Sequence, residues 1–135
     1  MIHTEKVTGI WRKEFTKTFR QVKKDVSPYL DEYKMQDIDM RWWIKPNNAL
    51  TRKMGSAGTC YKGIWKIRMN GRYQMIHNLI LLDKRLLENE KELIGVWKHE
   101  LVHLVRKSKG HDTLFSNLIR SCGASRYHSF NKDKS

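Results

Sequence analysis

Trp11, Phe15, Phe19, Val22 and Val26 recur every three or four positions, with lysine and threonine filling the opposite side. That spacing is one buried face of an α-helix. The helix is predicted to end before Ser27-Pro28, where Ser27 caps a short second helix carrying Tyr29, Leu30 and Tyr33. Met40 to Ile44 reads as a short strand, stopped by Pro46-Asn47-Asn48. A glycine-containing stretch, Gly55-Ser56-Ala57-Gly58-Thr59-Cys60, then leads into a β-hairpin that turns at Met69-Asn70-Gly71.

Two hairpin registers compete. A two-residue Asn-Gly turn sets Ile67 opposite Gln74 and Arg68 opposite Tyr73, mixing apolar and polar side chains on both faces. A three-residue loop with Gly71 left-handed places Trp65, Ile67, Tyr73 and Met75 on one face and Lys66, Arg68, Arg72 and Gln74 on the other. The cleaner segregation favours the three-residue loop, and His77 then alternates onto the apolar face as a core or edge histidine. The second strand runs on through Leu79-Ile80-Leu81-Leu82, a nearly continuous apolar run expected of a strand covered on both sides.

Asn89-x-x-Glu92 resembles a capping box with asparagine in place of serine or threonine, so a helix is predicted to start there. Leu93, Ile94, Trp97, Leu101, Leu104 and Val105 form its buried stripe. Arg106, Lys107 and Lys109 suit the negative end of its dipole, and Gly110 suits a left-handed stop. A last helix carries Leu114, Phe115, Leu118, Ile119 and Cys122, with Gly123 just past its end. The expectation is a single domain over residues 1–124, followed by a basic, flexible tail at 125–135.

Charge narrows the partners. Across 135 residues, 27 basic side chains face 14 acidic ones, for a formal charge of +13. This balance favours polyanions, against the plainer reading of a solvated, mutually repelling surface. No apolar run approaches the roughly 20 residues needed to cross a bilayer, and Met1 to Glu14 has no apolar block of signal-peptide type. The expectation is therefore a cytoplasmic protein without a membrane partner. Cys60 and Cys122 form no Cys-x-x-Cys pair and read as reduced thiols. A cysteine-ligated zinc ribbon is excluded for want of ligands.

The chemistry lies in His99-Glu100-Leu101-Val102-His103. Two histidines four apart on a helix lie about 40° apart around its axis and can share one metal ion. Glu100 falls roughly 60° beyond His103, beside the metal, where it can act on water. A catalytic zinc commonly takes a third protein ligand. A glutamate on a later helix is not available, since Asp112 and Asp133 are the only acidic residues after His103. A histidine six residues past His103 is not available either, since Lys109 stands there. His111 follows the Gly110 turn and is the candidate that remains; the alternative for it is an exposed loop histidine. Asp112 reads as an N-cap or as a partner for a ligand histidine. His3 and His128 lie near the chain ends, and Arg120, Tyr127 and His128 are candidate oxyanion donors.

Ala57-Gly58-Thr59-Cys60-Tyr61, an apolar strand ending at Leu81-Leu82-Asp83, the His-Glu-Leu-x-His helix and Gly110-His111-x-x-x-Phe115 together resemble SprT-like zinc metallopeptidases. That family includes the Spartan-type proteases that degrade proteins crosslinked to DNA. The resemblance covers about residues 40–124. It implies an α+β, zincin-like metallopeptidase core with a small antiparallel sheet packed beside the active-site helix. It implies His99, His103 and His111 as ligands of Zn2+, with Glu100 as general base. Many family members carry a cysteine-rich module after the core; residues 125–135 contain no cysteine, so that module's DNA contacts are not carried over.

The expected activity is zinc-dependent endopeptidase hydrolysis of a protein substrate, directed to DNA-associated proteins or stimulated by single-stranded or junction-like DNA. Lys62, Lys66, Arg68 and Arg72, with Tyr61 and Trp65 interleaved, are the candidate nucleic-acid contacts; a solvated sheet face is the alternative. Two other readings stay open: a zinc peptidase with no nucleic-acid role that processes a regulatory protein, and a non-catalytic DNA-binding module with structural zinc.

Overall fold

The computed structural model describes residues 2–26, 35–44, 57–105 and 113–125. In chain order these form β1 (Thr4–Lys6), α1 (Gly9–Val26), a 3-10 turn (Met35–Asp37), β2 (Asp39–Trp43), β3 (Gly58–Met69), β4 (Arg72–Asp83), a second 3-10 turn (Lys84–Glu88), α2 (Glu90–Val105) and α3 (Thr113–Cys122). The helix expected after Ser27, the stop at Pro46, Gly110 to Asp112 and residues 126–135 of the expected tail lie outside the described residues.

The architecture is α+β, and its sheet is mixed rather than wholly antiparallel. The strand order is β1-β2-β4-β3. β1 pairs with β2, and β3 with β4, in antiparallel fashion, while β2 and β4 run parallel, with Met40 beside Ile80 and Trp42 beside Leu82. Composition explains why β4 takes the inner slot. Leu79, Ile80, Leu81 and Leu82 are all fully buried, and only a strand covered on both faces can bury such a run. β3, richer in lysine and arginine, takes the edge, where charge discourages further pairing.

The hairpin register differs from the expected one. Asn70 and Gly71 both hold left-handed backbone, with φ of 55° and 86°, and form a two-residue turn. Met69 therefore stands opposite Arg72, Arg68 opposite Tyr73, and Ile67 opposite Gln74. Two left-handed turn residues match the natural twist of the flanking strands. The mixed faces are resolved by curvature. The hairpin bends so that Met69 bridges to Ile2, and the Asn70 N–H donates to the Ile2 carbonyl at 2.8 Å. The Thr4 N–H in turn donates to Asn70 Oδ1 at 2.7 Å.

This curl covers the sheet face that the helices leave bare. Ile67, Met69 and Ile76 close over Trp43, Leu79 and Leu81 as a second small core. A bulge between Tyr61 and Ile64 marks the bend. There the Gly63 N–H donates to Asn78 Oδ1 at 2.8 Å, and the buried Asn78 amide donates to the Asp37 carbonyl at 3.2 Å. The outer surface of the hairpin keeps Ile64, Tyr73 and Met75 exposed. His77 is also exposed, opposite Ile64; it is not a core histidine, because the two-residue turn shifts the alternation.

The main core lies between the sheet and the helices. Phe15, Phe19, Val22 and Val26 of α1 meet Met40, Trp42, Ile80 and Leu82 of the sheet and the apolar sides of α2 and α3. The fully buried Trp97 joins these layers, with ring centroids 5.4 Å from Phe15 and 6.0 Å from Trp42. Asn89 Oδ1 accepts from the Glu92 N–H at 3.2 Å and caps α2 as expected. None of the described helices is long and apolar enough to cross a membrane.

Candidate metal centre

α2 sits between the sheet and the other two helices, so it is buried nearly all round, from Leu93 to Val105. That position turns two of its polar residues, His99 and Glu100, into interior groups: they are 0% and 1% exposed. His103, one turn on, is half-buried, and its ring centroid lies 4.9 Å from that of His99. The three residues expected to carry the chemistry therefore share one helical turn facing the interior. Phe115 of α3 forms a wall beside both imidazoles. Its ring is edge-on to His99 at 5.3 Å and stacked on His103 at 4.4 Å.

His99 holds a defined tautomer. Its Nδ1 lies 2.8 Å from the carbonyl oxygen of Ser125. A carbonyl only accepts, so Nδ1 carries a proton, and in the neutral ring the lone pair is on Nε2. Metal-ligating histidines commonly have this arrangement, with the second ring nitrogen donating to a carbonyl or carboxylate. The donor set thus fits a zinc ion: an imidazole oriented through its Nδ1, a second imidazole beside it, and a buried carboxylate one residue along. The third expected ligand, His111, lies outside the described residues. Among the described residues no group of three or more His, Cys, Asp or Glu gathers as a metal site.

The sheet approaches this turn through a glycine. A Cβ on Gly58 would stand 2.8 Å from Leu82 Cδ2, 2.9 Å from Val96 Cγ1 and 3.3 Å from Glu100 Cγ. The first two distances are too short for real atoms, so β3 lies this close to α2 only because position 58 has no side chain. Next along β3, burial pushes the Cys60 thiol well above its ordinary range, and the Glu100 carboxylate raises it further against the opposing Lys62. Cys60 is thus a neutral thiol beside the buried carboxylate. Cys60 and Cys122 are both free.

Other candidates fall elsewhere. His3 sits before β1, with its carbonyl accepting from the Ile44 N–H at 2.9 Å. Arg120 of α3 is exposed, and Tyr127 and His128 lie outside the described residues. The expected basic stripe divides. Lys66 and Arg68 share the exposed hairpin face with Tyr73, their cationic groups 5.3 Å and 6.0 Å from its ring centroid. Arg72 pairs with Met69 and belongs to the opposite face, a correction that follows from the register. Lys62 lies at the bulge, its carbonyl accepting from Trp65 Nε1 at 2.9 Å.

The sequence reading missed the parts that come from a distance: the Ser125 carbonyl, the glycine approach at position 58 and the Phe115 wall. A glycine inside a strand pattern was the available signal for the second; the first has none. Compared with models of known protein families, with curated proteins and with solved structures, the chain matches none of them.

Proposed function

We propose that this chain is a zinc-dependent endopeptidase with a zincin-like, SprT-like core. His99 and His103 hold the metal, His111 completes the set, and Glu100 is the general base. The observation that carries this reading is the His99–Ser125 hydrogen bond, 2.8 Å long. It leaves Nε2 as the basic nitrogen in a buried turn that also holds His103 and Glu100.

Zinc, when bound, supplies Lewis acidity toward water and the scissile carbonyl oxygen. Glu100 takes a proton from the attacking water on a carboxylate oxygen and delivers it to the leaving amine nitrogen. Its burial, 1% exposed, keeps bulk water from competing for that proton. Phe115 holds the two imidazoles in orientation and excludes water from their flank.

The partner side of the proposal is DNA. Lys66 and Arg68 flank the exposed Tyr73 ring on the curled hairpin, a combination suited to phosphates and to stacking of an unpaired base. The net charge of +13 supports the same direction. The substrates would then be proteins held on single-stranded or junction-like DNA.

The test is cleavage of a basic, partly unstructured DNA-binding protein by the zinc-loaded chain, with and without single-stranded DNA, beside Glu100→Gln. The expected result is DNA-stimulated cleavage that falls by at least about 100-fold in the variant while zinc stays bound. Equal cleavage without DNA removes the nucleic-acid role and keeps the peptidase. Zinc and DNA binding without turnover of any protein would replace the enzyme with a binding module whose zinc is structural.

A further inference from the structure

We infer that the segment leaving α3, Gly123 to Ser125, is a positioning strap that selects the tautomer of His99, and that Gly95 is its seat on α2. The inference rests on the reading of His99 as a metal ligand and adds the device that prepares it.

The strap begins as a helix stop. Gly123 turns left-handed, with φ of 72°. Its N–H donates to the Arg120 carbonyl at 3.3 Å, and the Ala124 N–H donates to the Ile119 carbonyl at 3.0 Å. This pair of bonds is the Schellman closure of a helix end, and it turns the chain back toward α2. Residues 95, 98 and 99 lie on one face of α2, spaced at helical intervals; the strap meets the first and last, and Cys122 just before it meets the second.

The Ser125 N–H donates to the Gly95 carbonyl at 2.9 Å. The Ser125 carbonyl receives the His99 Nδ1 proton at 2.8 Å. Lys98 Nζ donates to the Cys122 carbonyl at 2.9 Å and ties down the end of α3 just before the turn. One residue, Ser125, thus anchors to α2 with its donor and orients the imidazole with its acceptor. Its side chain is not part of the hydrogen bonding described.

Gly95 makes this possible by having no side chain. A Cβ there would stand 2.4 Å from Ser125 Oγ and 3.5 Å from both Ser125 Cβ and Ser125 N. The crowding is with the serine hydroxyl, while the backbone atom is at ordinary contact distance. The hydroxyl can turn aside from a single Cβ, so Gly95→Ala should leave the strap in place, whereas the branched side chain of Gly95→Val crowds the Ser125 backbone as well and should lift it. A mid-helix glycine has low helix propensity, and close approach of the strap is the compensating reason for its presence.

The experiment measures imidazole nitrogen shifts of His99 by NMR in the metal-free chain, and zinc affinity by competition with a chelator. The variants are Gly95→Ala, Gly95→Val and Ser125→Gly. The unmodified chain should hold the Nδ1–H tautomer. Gly95→Val should move His99 toward a tautomer mixture and weaken zinc binding about 10- to 100-fold. Ser125→Gly keeps the carbonyl and, like Gly95→Ala, should leave the tautomer and the zinc affinity unchanged.

A metal-free chain holding the Nε2–H tautomer overturns the inference without any variant, so a misfolded Gly95→Val cannot shield it. Unchanged tautomer and affinity in a folded Gly95→Val also overturn it. The expected tautomer pattern without zinc binding by any form would uphold the strap and overturn the zinc reading instead.

Discussion

Phe115 lies nearly flat against His103, ring centroids 4.4 Å apart and planes 26° from parallel, while its edge meets His99. One side chain from α3 thereby orients two groups on α2. Phe115→Ala should cost about 3–5 kcal/mol of stability, as for other buried aromatic truncations. It should also weaken zinc binding, because both imidazoles regain rotational freedom. Urea unfolding of the metal-free chain and a zinc titration measure the two effects separately. Unchanged zinc affinity would mean that the ring serves packing alone.

Asn70 is a tie as well as a turn residue. Asn70→Gly keeps the left-handed turn but loses the side-chain bonds to Thr4, at 2.7 and 3.2 Å. The expected cost is about 1–2 kcal/mol, with faster hydrogen exchange at the Thr4 amide. Asn70→Ala should lose roughly a further 1–2 kcal/mol, because a Cβ without a local hydrogen-bonding group disfavours left-handed backbone. Equal exchange at Thr4 in both variants and the parent would sever the proposed tie between the hairpin tip and β1.

The thiols make stability fall in alkali. Burial raises Cys60, with the Glu100 carboxylate adding to it, and burial also raises Cys122. The folded state therefore holds these protons when the unfolded chain releases them. Their contribution is fully present below the ordinary thiol value of 9.0 and is lost progressively as pH rises beyond it. The slope is at most about 1.4 kcal/mol per pH unit for each group. Denaturant midpoints from pH 7 to above 10 should decline, and Cys60→Ala should flatten that decline whatever it does to the absolute stability. An unaltered slope in Cys60→Ala would locate the alkaline sensitivity elsewhere, with the half-buried Tyr61 phenol, also raised by partial burial, the next group to replace.

The register makes a discriminating prediction about DNA. Lys66→Ala and Arg68→Ala should each weaken single-stranded DNA binding and reduce its salt dependence by about 0.7 in log–log slope per lost contact. Tyr73→Ala should cost about 1–3 kcal/mol if a base stacks there. Arg72→Ala, on the opposite hairpin face, should change little. Fluorescence anisotropy at two or more salt concentrations measures all four. A loss at Arg72 equal to those at Lys66 and Arg68 would contradict the assignment of the binding face.

What the amino-acid sequence determined by itself is short-ranged. The stripe from Phe15 to Val26, the Asn89 cap, the helical placement of His99, Glu100 and His103, and the stop at Gly123 each depend on neighbours within a few positions. Helical hydrogen bonding and side-chain periodicity act over that distance, so pattern alone suffices. Tertiary structure decided whatever required distant segments to meet. The slot that β4 takes beside β2, the curl that brings Asn70 to Thr4, and the side of the hairpin that carries Arg72 follow from burial summed over the whole sheet. The local alternation that favoured a three-residue loop yielded to turn handedness and to a second core that exists only once the sheet bends. The proton position on His99 was decided in the same way. It depends on the backbone carbonyl of Ser125, and a carbonyl belongs to every residue, so it leaves no mark in the sequence.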